Sequence, residues 1–166
     1  VAMWLIDHQM NMLISNEFGQ YFARLPLKKS ANIVHGNALQ VDWETVIPKD
    51  KLSYIIGNPP FYGSRNQSKE QKEDTIAVFE DKINSGVLDY VACWYYKASR
   101  FIDNTNIKVA FVSTNSICQG IQVPTLWQLL INTEKIYIHF AHQTFGWSNE
   151  AKGNAAVYCV IIGFAK

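Results

Sequence analysis

The sequence predicts an α/β fold: a mainly parallel sheet with helices on both faces and one antiparallel strand at its end. Three observations predict it. Short apolar runs of strand length recur at 32–35, 52–56, 108–113, 136–141 and 155–164. Helical patterns at 1–24, at 87–102 and after Pro124 separate most of them, as crossovers between parallel strands require. The last two runs are joined without room for a helix, so they are expected to pair antiparallel.

The first helix rests on Met3, Ile6, Met10, Leu13 and Ile14 at helical spacing, with Pro26 as its limit. A short strand, Asn32 to His35, is expected to end in Gly36-Asn37-Ala38-Leu39. Val41 to Lys51 reads as a connector. The run Leu52 to Ile56 is a buried strand that stops at Gly57 and Asn58-Pro59-Pro60-Phe61. Residues 62–75 are polar and read as a mobile loop leading into a helical turn. Leu88, Val91, Ala92, Tyr95, Ser99 and Ile102 give the next helix one apolar stripe. Lys108 to Ser113 is a strand closed by Thr114-Asn115-Ser116. Pro124 opens a helix where proline is tolerated, and Leu126, Trp127, Leu129 and Leu130 fill it. Phe145 to Asn154 reads as a glycine-containing loop between the final strands.

A chain of 166 residues is one domain's worth and can bury a core. A formal net charge of +1 neither supports nor excludes a nucleic-acid partner, because a basic stripe can be balanced elsewhere. No apolar run reaches membrane-spanning length and no secretory pattern opens the chain. Cys93, Cys118 and Cys159 are far apart, each in an apolar context, and read as buried reduced thiols of a cytoplasmic protein. Val1 begins in mid-helix with no cap, so the chain is expected to be a piece of a longer protein.

The stretch that carries chemistry is Asn58-Pro59-Pro60-Phe61, delivered at the carboxyl end of a strand, where open α/β sheets bind ligands. Asn58 offers an amide oxygen, and the prolines fix the backbone while leaving carbonyls free. An exocyclic amine has two N–H groups, and Asn58 Oδ1 and the Pro59 carbonyl could accept one each. Phe61 offers a flat face, worth about 1–3 kcal/mol per stacked base. Gripping both hydrogens would favour a tetrahedral nitrogen, free its lone pair and stabilise the positive charge that develops on attack. Adenine's amine needs that help, since its lone pair is delocalised, and a duplex base must first be flipped out. The four residues alone are equally compatible with a turn that merely ends a buried strand.

Asn58-Pro59-Pro60-Phe61 resembles motif IV of the amino-methyltransferases that modify adenine N6. The likeness continues in order through Leu88-Asp89-Tyr90-Val91-Ala92-Cys93-Trp94-Tyr95, Ser113 to Gly120, Phe140 to Trp147 and Asn149-Glu150-Ala151. These blocks are similar to those of the large single-chain restriction–modification methylases of the MmeI-like kind. The resemblance implies a Rossmann-like S-adenosylmethionine-dependent methyltransferase fold ending in a reversed strand. It implies that Asn58 and Pro59, beside Pro60, hold the target amine and that Phe61 stacks on the target adenine. Gly36-Asn37-Ala38-Leu39 resembles the family's motif III, so Asn37 and Ala38, with Asn58, are the residues expected at the cofactor, S-adenosyl-L-methionine. The family usually has aspartate where Asn37 stands. Its glycine-rich cofactor turn and ribose-binding acid would precede the first helix, and the chain carries neither. It is therefore read as an N-terminally truncated catalytic domain, 1–166, with no measurable methyl transfer by itself.

Arg65, Lys69 and Lys72 could contact phosphates beside the target base, although Glu70, Glu73 and Asp74 interleave with them. Trp147, Asn149 and Glu150 could shape the flipped-base pocket or simply form a turn. His139 and His142 stand three apart on or after a strand, hence on opposite faces, and no metal site is expected. Ser113 and Ser116 lack the G-x-S-x-G elbow of a hydrolase and read as a strand-end turn. Trp94, Tyr95, Tyr96 and Phe101 read as helix core.

The expected function is therefore DNA adenine-N6 methylation in a restriction–modification system. Its partner would be double-stranded DNA, with nuclease and target-recognition domains fused in the full-length protein. Two alternatives remain: an amino-methyltransferase acting on protein glutamine or RNA, and a non-catalytic DNA-binding or assembly piece.

Overall fold

A computed structural model describes residues 2–19, 32–147 and 157–166 of the chain. They fall into two units, one within residues 1–33 and the other within 34–166. The first unit contains α1 (Ala2–Phe18). Gly19 stops it in the left-handed region at φ +63°, which glycine adopts without a Cβ penalty. Ile6, Met10, Leu13 and Ile14 of the expected stripe are exposed. The expected continuation to residue 24 and its limit at Pro26 lie outside the described residues.

In the second unit the main elements are α2 (Trp43–Val46), β1 (Tyr54–Gly57), α3 (Lys69–Phe79), α4 (Ala92–Phe101), β2 (Lys108–Thr114), two successive π-helical stretches (Val123–Trp127 and Leu129–Thr133), β3 (Tyr137–Trp147) and β4 (Val157–Ala165). The sheet order is β1-β2-β4-β3. β1 runs parallel to β2, while β4 lies antiparallel to both β2 and β3. The reversed last strand is as expected. It inserts between β2 and β3, however, so the sheet is mixed, and two of its three pairings are antiparallel.

One face of this sheet is the core. Val109, Phe111 and Ser113 alternate inward from β2, and Phe111 and Ser113 meet Tyr95 of α4. The Tyr95 ring touches Phe111, Phe164 and Trp127 at 5.3–5.6 Å between centroids. The aromatic stripe of α4 is thus core packing, with Tyr95 and Tyr96 fully buried. Within this unit the described elements leave the other face open, contrary to the expectation of cover on both sides: Tyr54, Ile56 and Phe140 are exposed there.

Other expectations need correction. Asn32 to His35 forms no strand. Ile33 and Val34 are exposed, and a strand needs a neighbour's backbone to pair with. The stretch 62–75 is less a mobile loop than an anchored turn followed by the three-turn α3. Ser68 caps α3 through a capping box, its hydroxyl accepting the Gln71 N–H and the Gln71 side chain accepting the Ser68 N–H. The connector contains α2, capped by Asp42. The fourth helix starts at Ala92 after a separate turn at Ser85–Val87. β3 extends through Phe145, Gly146 and Trp147, where the sequence predicts the start of a loop. Cys93 and Cys159 are buried, but Cys118 is exposed at the end of the turn Asn115–Cys118.

Candidate functional site

β1 delivers the Asn-Pro-Pro-Phe stretch because its backbone must pass close to the core. A Cβ on Gly57 would stand 3.1 Å from the buried Phe111 ring, so only glycine lets the strand end there without displacing that ring. Beyond it Asn58 and Pro60 are exposed, Pro59 is buried and Phe61 is half-buried. None of the described residues hydrogen-bonds the Asn58 side chain, which leaves both its amide groups for a ligand.

The backbone after this motif is held at three points. The Tyr62 carbonyl accepts the Tyr90 N–H at 2.8 Å. The Ser64 N–H donates to Asp89 Oδ1 at 3.2 Å. The Gln67 amide donates to the Leu88 carbonyl at 2.9 Å. Asp89 is itself buried and braced: its Oδ2 accepts from Ser116 and Thr114 at the end of β2, and its N–H donates to Gln122. Ser113 and Ser116 are therefore structural hydroxyls, Ser113 bonding the Tyr95 phenol at 2.6 Å. A buried carboxylate is costly unless it is hydrogen-bonded, and the Ser64 N–H and the Thr114 and Ser116 hydroxyls all converge on that of Asp89.

The second loop is Asn37 to Val41. The Gln40 and Val41 N–H groups both donate to the Asn37 carbonyl at 2.9 Å, and the Leu39 N–H donates to Asn37 Oδ1 at 3.0 Å. Lys97 of α4 reaches across and donates to the Ala38, Leu39 and Val41 carbonyls at 3.0, 2.8 and 2.6 Å. Burial pushes the Lys97 ammonium below the ordinary lysine value, and the charge of Asp42 opposes that. The Trp43 indole donates to the same Ala38 carbonyl at 2.8 Å. With that carbonyl taken, the polar group Ala38 can still offer is its N–H.

Asp74 of α3 ties this loop down from the other side. Its carboxylate accepts from Asn37 Nδ2 at 2.8 Å, Gln40 Nε2 at 2.8 Å and the Tyr90 hydroxyl at 2.6 Å. Burial pushes the Asp74 carboxyl up, but the bonds from Tyr90, Gln40 and Asn37 outweigh it and hold the group below its ordinary value. Burial and then Asp74 push the Tyr90 phenol up, so it stays a donor.

The structure thus gathers Asn37 and Ala38 on one loop and Asn58 to Phe61 on another, and residues 89 and 90 hold to both. Arg65 lies in the turn Ser64–Asn66 directly after the motif and is exposed. Lys69 pairs with Glu73 at 3.8 Å on α3. Lys72 is exposed, and neither it nor Arg65 forms an ion pair among the described residues. Trp147 ends β3, and Asn149 and Glu150 lie outside the described residues. Among the described residues no cluster of His, Cys, Asp and Glu could hold a metal, and no helix is long and apolar enough to cross a membrane.

Reading the sequence missed Asp74, Lys97 and the bracing role of Asp89. Asp89 could have been noticed as an acid inside the apolar run Leu88 to Ala92. Asp74 and Lys97 sit among ordinary surface charges and carried no comparable signal.

A family model describing the MmeI DNA-methyltransferase domain matches residues 1–166. A curated relative from Bacillus subtilis (strain 168), DNA methyltransferase A, is 42% identical over 167 residues, covering 99% of this chain and 19% of the relative. A solved structure of the Type IIL restriction–modification enzyme MmeI in complex with DNA is 56% identical with a TM-score of 0.79, covering 98% of this chain and 22% of that one. The chain therefore spans about a fifth of the length of these relatives.

Proposed function

Because the chain belongs to the MmeI DNA-methyltransferase domain family, we propose that it supplies the target-base half of a restriction–modification methyltransferase acting on N6 of adenine in double-stranded DNA. The observation that carries this reading is Asn58. It is an exposed amide without a partner among the described residues, at the carboxyl end of β1, on backbone pinned by Tyr90 and Asp89. Asn58 Oδ1 and the Pro59 carbonyl accept the two hydrogens of a flipped-out amine, with Pro60 fixing the turn and Phe61 stacking on the ring. That grip frees the nitrogen lone pair and stabilises the charge of the transition state, and no side chain has to act as a general base. The relative solved with DNA supports the choice of nucleic acid over protein glutamine.

S-adenosylmethionine fits the second loop at its adenine end: Asn37 Oδ1 keeps one free lone pair for an amine, and Ala38 offers an N–H to a ring nitrogen. When bound, it supplies an activated methyl group on a sulfonium. Arg65 directly after the motif and Lys72 on α3, both exposed and without an ion pair among the described residues, serve as phosphate contacts, with Lys69 beside Lys72 on α3. Trp147 and Asn149 are kept, on the resemblance alone, as residues that help to form the base pocket.

The test uses the full-length protein that carries this chain, DNA and tritiated S-adenosylmethionine. Label is expected in N6-methyladenine, and Asn58→Ala is expected to lower its rate by about a hundredfold or more. Label in cytosine, or an undiminished rate in the variant, would refute the reading.

A further inference from the structure

An amide is ambivalent: it presents an acceptor and a donor that swap places when the group turns over. A site that must accept from an amine cannot leave that choice open, and Asn37 stands where the resembled family usually carries aspartate. Its surroundings remove the ambiguity. Asp74 is an ionised carboxylate, and such a group only accepts hydrogen bonds. The Asn37 NH2 must therefore face Asp74, where it lies 2.8 Å from Oδ2. The oxygen is then forced to the opposite side. There it takes the Leu39 N–H at 3.0 Å and retains its second lone pair.

We infer that Asp74 is a positioning residue for the cofactor site: together with the Leu39 N–H it locks the Asn37 amide in one orientation, so that Oδ1 accepts from the amino group of an adenine-bearing cofactor. This rests on the reading of Asn37 as a cofactor residue. It explains why an amide can stand in for a carboxylate here. An aspartate at 37 would set two carboxylates against each other at the present 2.8 Å separation, so Asn37 and Asp74 form a matched pair. The lock is itself held in place. Gln40 Nε2 occupies the other carboxylate oxygen at 2.8 Å, and the Tyr90 hydroxyl donates to Oδ2 at 2.6 Å. The three donors fix the rotation of the carboxyl group, and through it that of Asn37.

The test measures selectivity for the amino group by calorimetry on the full-length protein. The probes are S-adenosylhomocysteine and S-inosylhomocysteine, which carries an oxygen in place of that amine. The unaltered protein is expected to prefer the first by about tenfold or more, as sites built to bond a polar group reject its replacement. Asp74→Asn removes the group that can only accept from Asn37 and leaves the Leu39 N–H alone to oppose a turned-over amide, and the preference is expected to fall to within about threefold. The double variant Asn37→Asp with Asp74→Asn restores one carboxylate and one amide across the same gap, and it is expected to recover the preference.

A purely structural tether would weaken both ligands alike, so equal weakening in Asp74→Asn overturns the inference, as does an unchanged ratio. Should Asp74→Asn fail to fold, the exchanged pair carries the test, and a folded pair without the preference overturns the proposal. Binding of neither ligand by the unaltered protein overturns the cofactor reading and this inference together. Binding with an unaltered ratio in Asp74→Asn overturns the inference alone.

Discussion

Lys97→Met separates the loop at 37–41 from the rest of the fold, because it removes a charge and three bonds while keeping the length of the stem. Lys97 donates at 3.0, 2.8 and 2.6 Å to the carbonyls of Ala38, Leu39 and Val41. Bonds to charged groups contribute roughly 1.5–3 kcal/mol each where water is excluded. Water reaches this site, and the Ala38 carbonyl keeps the Trp43 indole as a second donor. The two part-buried bonds are therefore discounted to about 1 kcal/mol each and the exposed one to almost nothing, which leaves about 2 kcal/mol for the loop. Methionine keeps the contact of the stem with the loop, so packing changes little.

That energy resists local opening, since the core face lies on the other elements. The Gln40 and Val41 amides, now bonded to the Asn37 carbonyl, are the reporters. A loss of about 2 kcal/mol corresponds to about a thirtyfold faster exchange of these amides with deuterium. Mass spectrometry of a peptide spanning 37–43 in the full-length protein reads it, with a peptide from β2 as the control. Exchange at 37–43 unchanged to within about threefold would refute the assignment of Lys97 as the clamp. So would an equal acceleration in β2, because the loss would then be global.

Three further outcomes are expected. Gly57→Ala puts a methyl group 3.1 Å from the Phe111 ring, which cannot yield between Tyr95 and Phe164, so it should cost about 1–3 kcal/mol and lower methyl transfer beyond its effect on melting; a melting point and rate like the parent's would contradict this. Within this chain, Cys118 should be the thiol that iodoacetamide reaches at pH 8, more slowly than free cysteine because burial raises it, while Cys93, pushed up to about 12 chiefly by burial, stays unlabelled until unfolding; peptide mapping with Cys93 labelled first would contradict this. The net lowering of Asp74 means that its ionisation stabilises the fold above the ordinary carboxylate value of 3.8, and that this contribution is lost as pH falls through the lower folded value; urea titrations at stepped pH should show the gap between parent and Asp74→Asn closing on acidification, and a widening gap would contradict it.

What could be read from the sequence was whatever depends on local pattern. β1, β2 and β4 announce themselves as apolar runs, and the Asn-Pro-Pro-Phe end of β1 follows from where the run stops. The short strand at 32–35 has the same local pattern and does not form, because a strand is a property of a pair and no described neighbour stands beside Ile33 and Val34. α3 was hidden for the opposite reason. Lys69, Glu70, Lys72, Glu73 and Asp74 mask any stripe, and the helix is carried by its cap, legible as Ser68 followed three residues later by Gln71. The partners of the candidate site lie further still beyond local pattern. Asn37 and Asp74 are 37 residues apart, and Lys97 reaches carbonyls 56–59 residues upstream. No periodicity encodes such a pairing.

The two loops of the site converge on one dipeptide. The Tyr90 backbone holds the Tyr62 carbonyl, which fixes the course of the chain after Phe61. The Tyr90 phenol holds Asp74, and through it Asn37 and Gln40. Asp89 beside it takes the Ser64 N–H on one oxygen and the hydroxyls at the end of β2 on the other. Neither residue lies in a regular element, and the first turn of α4 is built on their carbonyls, which accept from the Ala92 and Cys93 N–H groups. The relative placement of the two loops is thereby referred to the packed start of a core helix rather than to either loop. That suits the proposed transfer between two bound groups, whose rate would depend on how well the two loops keep their mutual position. It also gives the polar pair in an otherwise apolar run a physical purpose: Asp89 and Tyr90 are polar because each must bond backbone or side chains on both sides at once.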